Sequence, residues 1–130
     1  MDGQSVFERF KNGRLYTTEG IREFAAVEWS QHPKFEGVEL RHIVPGAQTK
    51  DQFSYHLVRI APGKKIGLHT HETQLETHEV IDGDGVCLCG GREMTYESGV
   101  IAILPKNEEH EVKAGPNGLL LFAKFFPPLC

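Results

Sequence analysis

His69 and His71 stand two residues apart, Glu76 follows after a short turn, and His110 lies well downstream. Three imidazoles and one carboxylate make a borderline-to-hard donor set, suited to a divalent ion of iron, manganese, nickel, cobalt or zinc. On a strand, side chains alternate between faces, so residues two apart point the same way and both rings can reach one ion. Glu76 supplies a hard anionic oxygen from near the start of the next strand. The turn Pro105-Lys106-Asn107-Glu108-Glu109 delivers His110 onto a facing one. With neutral rings, a divalent ion leaves this shell at a net charge of about +1, which attracts an anionic or enolisable oxygen ligand and lowers the pKa of bound water. An HxH pair alone marks a polar surface as readily as a metal site, so its meaning depends on the elements that carry it.

Those elements are short apolar segments broken by Gly, Pro, Asn and Asp, the rhythm of an all-β sandwich or barrel. Strands are expected over residues 39–43, 53–60, 65–71, 76–81, 85–89, 93–96, 100–104, 110–113 and 119–125. Between them lie Pro45-Gly46, Pro62-Gly63, Asp82-Gly83-Asp84-Gly85, Gly90-Gly91, Ser98-Gly99 and Gly115-Pro116-Asn117-Gly118. Connections this short favour antiparallel neighbours, because parallel crossovers need a dozen or more residues. The N-terminal part differs. Residues 5–10 suit one helical turn, residues 20–24 are ambiguous, and Trp29 to Phe35, with His32-Pro33 inside, suits an irregular arm that packs its aromatics on a barrel. The 130 residues fit one domain, read as an arm over 1–50 and a barrel over 51–130.

The glycines and prolines around the histidines carry a resemblance. Gly63 is followed by five residues, His69-Thr70-His71, four residues, Glu76, six residues and Gly83, which resembles the first motif of the cupin superfamily. Gly99 is followed by five residues, Pro105, one residue, Asn107, two residues and His110, which resembles the second. Asn107 stands where the family usually has Gly, and Asn tolerates the left-handed backbone better than other residues with a Cβ. Ala114 stands where Asn is frequent and touches no ligand position. The resemblance is to a small single-domain cupin of the type-2 conserved-barrel kind. It implies an RmlC-like jelly-roll barrel (a double-stranded β-helix) with His69, His71, Glu76 and His110 converging in the lumen on one divalent transition metal per chain. It further implies a metal-dependent enzyme on a small molecule, dioxygenase-like or isomerase/lyase-like, with the metal as Lewis acid or oxygen activator. The alternative is a non-catalytic, metal-dependent binder of a sugar or organic acid.

His78 follows Glu76 by two residues, so parity points it into the same lumen, where it could orient a substrate or act as a general base; the alternative is a histidine bonded to a neighbouring group or lying at the barrel mouth. Parity leaves open which of Tyr55 and His56 faces inward. His32 and His42 have no motif context and read as structural or surface residues. Cys87 and Cys89 share a strand face. A CxC pair can bind a soft metal or become a redox pair, but small buried barrel residues are the commoner outcome. Cys130 reads as inert. The net charge of -4, the pI near 6.0 and the scattered Lys and Arg give no footprint for nucleic acid. The charged start, the absence of a long apolar run and the odd cysteine count suggest a cytoplasmic protein with no membrane segment. The apolar run from Leu119 to Leu129 exceeds what one sheet edge needs, so a homodimer is expected. The native metal and the substrate are not legible.

Overall fold

The computed structural model describes residues 6–130. A short helix, α1 (Val6–Lys11), precedes a hairpin of β1 (Arg14–Thr17) and β2 (Gly20–Glu23). There follow β3 (Ser30–Gln31), β4 (Val38–Val44), β5 (Ser54–Ile60), β6 (Lys65–His69), β7 (Leu75–Cys89), β8 (Arg92–Glu97), β9 (Ile101–Leu104) and β10 (His110–Phe126). The helical turn expected over residues 5–10 is α1, apart from Ser5, which lies outside the described residues. Residues 20–24 resolve as β2 running into a single 3₁₀ turn at Phe24–Ala26.

All strand pairs are antiparallel, and two long strands organise them. β7 and β10 pair from His110↔Cys89 to Phe126↔Leu75, and each serves two sheets. In the first sheet, residues 119–126 of β10 lie between β5 and the first half of β7, which also carries β9. β4 and then β3 extend that sheet beyond β5. In the second, residues 110–114 of β10 lie between β6 and the second half of β7, with β8 beyond. Val58, Val80 and Leu121 of the first sheet and Cys87, Tyr96 and Val112 of the second bury their side chains in one cluster. Two antiparallel sheets closed on a shared core make the jelly-roll barrel, the expected fold class.

Two expected breaks are not turns. Residues 76–81 and 85–89 form one strand, as do 110–113 and 119–125. The glycine-rich stretches lie opposite each other instead. Ala114 pairs with Gly85 and Leu119 with Gly83, so residues 115–118 bulge out of the ladder while both strands cross from one sheet to the other. A glycine run permits such a corner as well as a reversal, and local sequence does not distinguish the two.

The arm boundary also moves. β4 lies within residues 1–50, yet it pairs with β5 from Val38↔Ile60 to Val44↔Tyr55 and so belongs to the barrel, where β5 satisfies its backbone groups. The arm ahead of it covers the outer face of the first sheet. Phe24 is buried against Ile43, Val44 and Leu57, and Phe10 contacts Phe122 with ring centroids 5.0 Å apart. Trp29 lies over two guanidinium groups, 4.8 Å from that of Arg41 and 4.0 Å from that of Arg59. Tyr55 faces this layer. His56 is fully buried on the lumen side with its ring against Phe125, which settles the parity question left open by the sequence.

The C-terminal apolar run is spent inside the chain. Leu119, Leu120, Leu121, Ala123 and Phe125 are all buried, so they present no surface to a second copy. The exposed apolar side chains of the first sheet are Ile101 and Ile103 on β9. Among the described residues, no helix is long and apolar enough to cross a membrane.

Candidate metal centre

His110, the first residue of β10, pairs directly with His69, the last of β6. This register puts two imidazoles side by side, with centroids 4.2 Å apart. His71 is not on β6 as expected, because the strand ends at His69. The loop to β7 nevertheless carries its ring to 5.0 Å from that of His69 and 5.6 Å from that of His110. Glu76 enters from β7, almost wholly buried. One donor atom from each of His69, His71, Glu76 and His110 lies within 4.8 Å of all the others. Two bonds of about 2.1 Å across an ion span about 4.2 Å, so the cage has the size of a coordination shell with slight closure.

The donor lone pairs are aimed as well as clustered. A carbonyl oxygen only accepts, so Gly67 O, 2.7 Å from His69 Nδ1, places the ring proton there and leaves Nε2 free for the cage. Glu108 O does the same for His110 through Nδ1 at 3.1 Å. His71 Nε2 and His110 Nε2 each approach Glu76 Oε1 to 3.3 Å. Even so, Glu76 Oε1 and His110 Nε2 are buried without a hydrogen-bond partner. Orphaned polar atoms of this kind are costly, and a cation between them would satisfy both. The residues present therefore fit a divalent metal.

Electrostatics agree with that fit. Burial alone would raise the Glu76 carboxyl, but the surrounding imidazoles, His78 foremost, hold it well below the usual carboxylate range. Burial lowers His69, favouring the neutral ring that ligates metals. For His110 burial also pushes down, but the Glu76 carboxylate outweighs it and raises the ring.

His78 is 1% exposed, and both ring nitrogens are engaged. Nε2 donates to Glu76 Oε2 at 2.6 Å, and Nδ1 meets the Tyr96 hydroxyl at 2.8 Å. These contacts place the ring to orient Glu76. Tyr96, fully buried on β8, stays a phenol because burial raises it far above its ordinary value. Burial also pushes the neighbouring Cys87 thiol up to about 11, and Cys87 and Cys89 both pack on the core. Tyr96 had no sequence signal, since nothing in its spacing relates it to Glu76.

This chain of contacts makes a prediction. Tyr96→Phe leaves His78 Nδ1 buried without a partner and loosens the carboxylate it supports. Metal affinity is expected to fall about 10-fold or more, with a stability loss of about 1–2 kcal/mol. Chelator competition and urea unfolding read the two effects; unchanged affinity would show that Glu76 is held by its backbone alone.

A cavity of about 420 Å³ opens onto His69, His71 and Glu76. Its walls include Leu40, Val58, Ile66 and Phe125, and His32, exposed Lys34 and Phe35 line it from the arm. Phe35 packs on the core as expected and also faces this space. The role of His32 and Lys34 as lining was not legible, because the arm has no periodicity to place them.

A family model described as "Cupin domain" matches residues 56–118. Among curated proteins, an L-ectoine synthase from Bordetella parapertussis is 35% identical over 79 residues, 59% of this chain and 60% of that protein. An oxalate-binding protein from Thermotoga maritima is 28% identical over 65 residues, 50% of this chain and 54% of that protein. The matched stretch thus spans little more than half the length of these relatives. A solved structure described as a predicted oxalate decarboxylase from Thermotoga maritima superposes with a TM-score of 0.73 at 20% identity, covering 79% of this chain and 95% of that one. An ectoine synthase structure from P. lautus gives a TM-score of 0.65 at 22% identity, covering 72% and 67%. At those identities the two structures speak for the fold.

Proposed function

We propose that this chain, whose residues 56–118 match a cupin domain, is a metal-dependent enzyme acting on a small organic acid, with His69, His71, Glu76 and His110 as metal ligands. The observation that carries this reading is the cavity of about 420 Å³ whose lining includes His69, His71 and Glu76 of the cage. A divalent ion in that cage would supply Lewis acidity or oxygen activation, as in isomerase/lyase or dioxygenase chemistry. The chain's own residues do the rest. Leu40, Val58, Ile66 and Phe125 exclude water from the inner end, and Lys34 attracts an anion at the rim. His78 and Tyr96 hold the Glu76 carboxylate in place.

A second reading is a binder without turnover, favoured by the similarity to an oxalate-binding protein. One experiment separates the two. Oxalate and a panel of keto acids and diketones are presented to the chain loaded with iron, manganese, nickel, cobalt or zinc. Calorimetry reads binding, an oxygen electrode reads consumption, and mass spectrometry reads product. Turnover that depends on metal supports the enzyme, and binding with no product supports the binder. Binding that is equal with and without metal rejects both.

Lys34→Ala is expected to weaken binding of an anionic ligand about 3- to 10-fold while leaving metal content unchanged, with the difference shrinking as salt screens the exposed charge. Equal affinity at low salt would remove Lys34 from recognition. Exposed Ile101 and Ile103 on β9 support a homodimer, which light scattering at micromolar concentration would read as twice the chain mass. The free cysteines support a reducing, cytoplasmic setting.

A further inference from the structure

We propose that His42, His56 and Cys130 form a second metal site, separate from the first, for a thiophilic ion of the zinc type. Each offers one ligand atom, and the three atoms lie within 4.8 Å of one another. His42 and His56 face each other in register on β4 and β5, with their Nδ1 atoms 2.7 Å apart. At that distance one ring proton bridges the two nitrogens, and an ion taking its place with bonds of about 2.1 Å would spread them to about 3.3 Å, a small movement of two facing side chains. His56 is fully buried, and burial first, then His42, lowers it to about 3, so its ring is neutral and able to ligate.

The surroundings are organised for this geometry. Ser54 Oγ lies 2.7 Å from His56 Nε2 and accepts the Leu129 N–H at 2.8 Å. If that oxygen also accepts the Nε2 proton, the Nδ1 lone pair of His56 is left for an ion. This is the way a neighbouring group commonly sets the tautomer of a metal-bound histidine. One hydroxyl thus aligns both His56 and the backbone next to Cys130. Two more bonds pin that segment: Gly46 N donates to Cys130 O at 2.7 Å, and Gln74 Nε2 donates to Pro128 O at 2.7 Å. Two imidazoles and a thiol match zinc or a similarly soft ion. Burial raises the Cys130 thiol, so an ion would bind by displacing its proton, and the exposed side leaves a coordination position open.

Phe125 contacts a histidine of each centre, with its ring centroid 5.5 Å from that of His56 and 5.3 Å from that of His71. No sequence pattern links the three residues, which come from two strands and the C-terminal segment.

Cobalt(II) titration of the metal-stripped full chain tests this, because a thiolate bound to cobalt gives a sulfur-to-metal charge-transfer band in the near ultraviolet. The intact chain is expected to show that band and to take up two equivalents. Cys130→Ser, whose side chain is exposed, and His42→Gln should each lose the band and at least about 10-fold in affinity for one equivalent. Glu76→Gln should keep the band while losing the other equivalent, so failure of the first centre and failure of this one are read separately. No band in the intact chain would overturn the proposal. So would a band that survives Cys130→Ser, which would assign it to Cys87 or Cys89, or one that vanishes in Glu76→Gln. Should His42→Gln fail to fold, Cys130→Ser decides alone.

Discussion

Glu76→Gln is expected to lower metal affinity by at least about 100-fold and to leave the His69, His71 and His110 cage nearly empty after dialysis. The amide keeps the volume of the side chain, so the cage need not collapse. What it loses is the only anionic donor, which raises the net charge of a loaded shell from about +1 to about +2. Weakening a group that merely supports a ligand already costs 10- to 100-fold, so replacing the ligand itself should cost more. Without metal, Glu76 also joins His78 at 2.6 Å and approaches His71 and His110 at 3.3 Å, so the apo protein should lose about 1–3 kcal/mol as well. Metal analysis after reconstitution reads the first effect and urea unfolding the second. If the variant retains about one ion per chain at the first centre, the carboxylate is not a ligand and the proposed enzyme loses its cofactor geometry.

Gly83→Val should cost about 3 kcal/mol or more and lower Tm by roughly 10 °C or more. Gly83 sits where β7 crosses between sheets, with φ 87°, in the region that residues bearing a Cβ avoid. A Cβ there would also press on the backbone of Gly118, 2.9 Å from its carbonyl carbon, and on Leu119 Cα at 3.0 Å, which the pairing of Leu119 with Gly83 holds in place. Gly91 is the control. Its φ is 78°, but nothing lies within 4 Å of a Cβ there, so Gly91→Ala should carry the conformational cost alone, about 1 kcal/mol. Differential scanning calorimetry on both variants separates the two contributions. Equal losses would show that the corner yields, and that the close approach of β7 to β10 is not what holds the sheets together there. Because Glu76 and His110 sit on opposite sides of that corner in the same two strands, a corner that shifted would also misplace the ligands.

Asn107 illustrates how far local reasoning reaches. It was expected to accept the left-handed backbone in place of Gly, and its φ is 66°. Its amide N–H also donates to His71 O at 3.0 Å, tying the turn before His110 to the loop that carries His71. The first point follows from residue chemistry. The second depends on where two distant segments meet, and spacing alone does not contain it.

The same division runs through the protein. The short apolar segments with their Gly and Pro breaks, the paired motifs and the donor types were sufficient to read an all-β barrel and to point to His69, His71, Glu76 and His110 as candidate ligands, because motif spacing and ligand chemistry are local properties. His71, however, reaches the cage from a loop and not by strand parity. The arm boundary, the bend in place of two turns, the part of Tyr96 in holding His78 against Glu76, and the meeting of His42, His56 and Cys130 were not legible. Each depends on which strands pair and in what register. Pairing is decided by how apolar surface closes over the whole chain, so residues far apart in sequence become neighbours only once the two sheets fold onto their shared core.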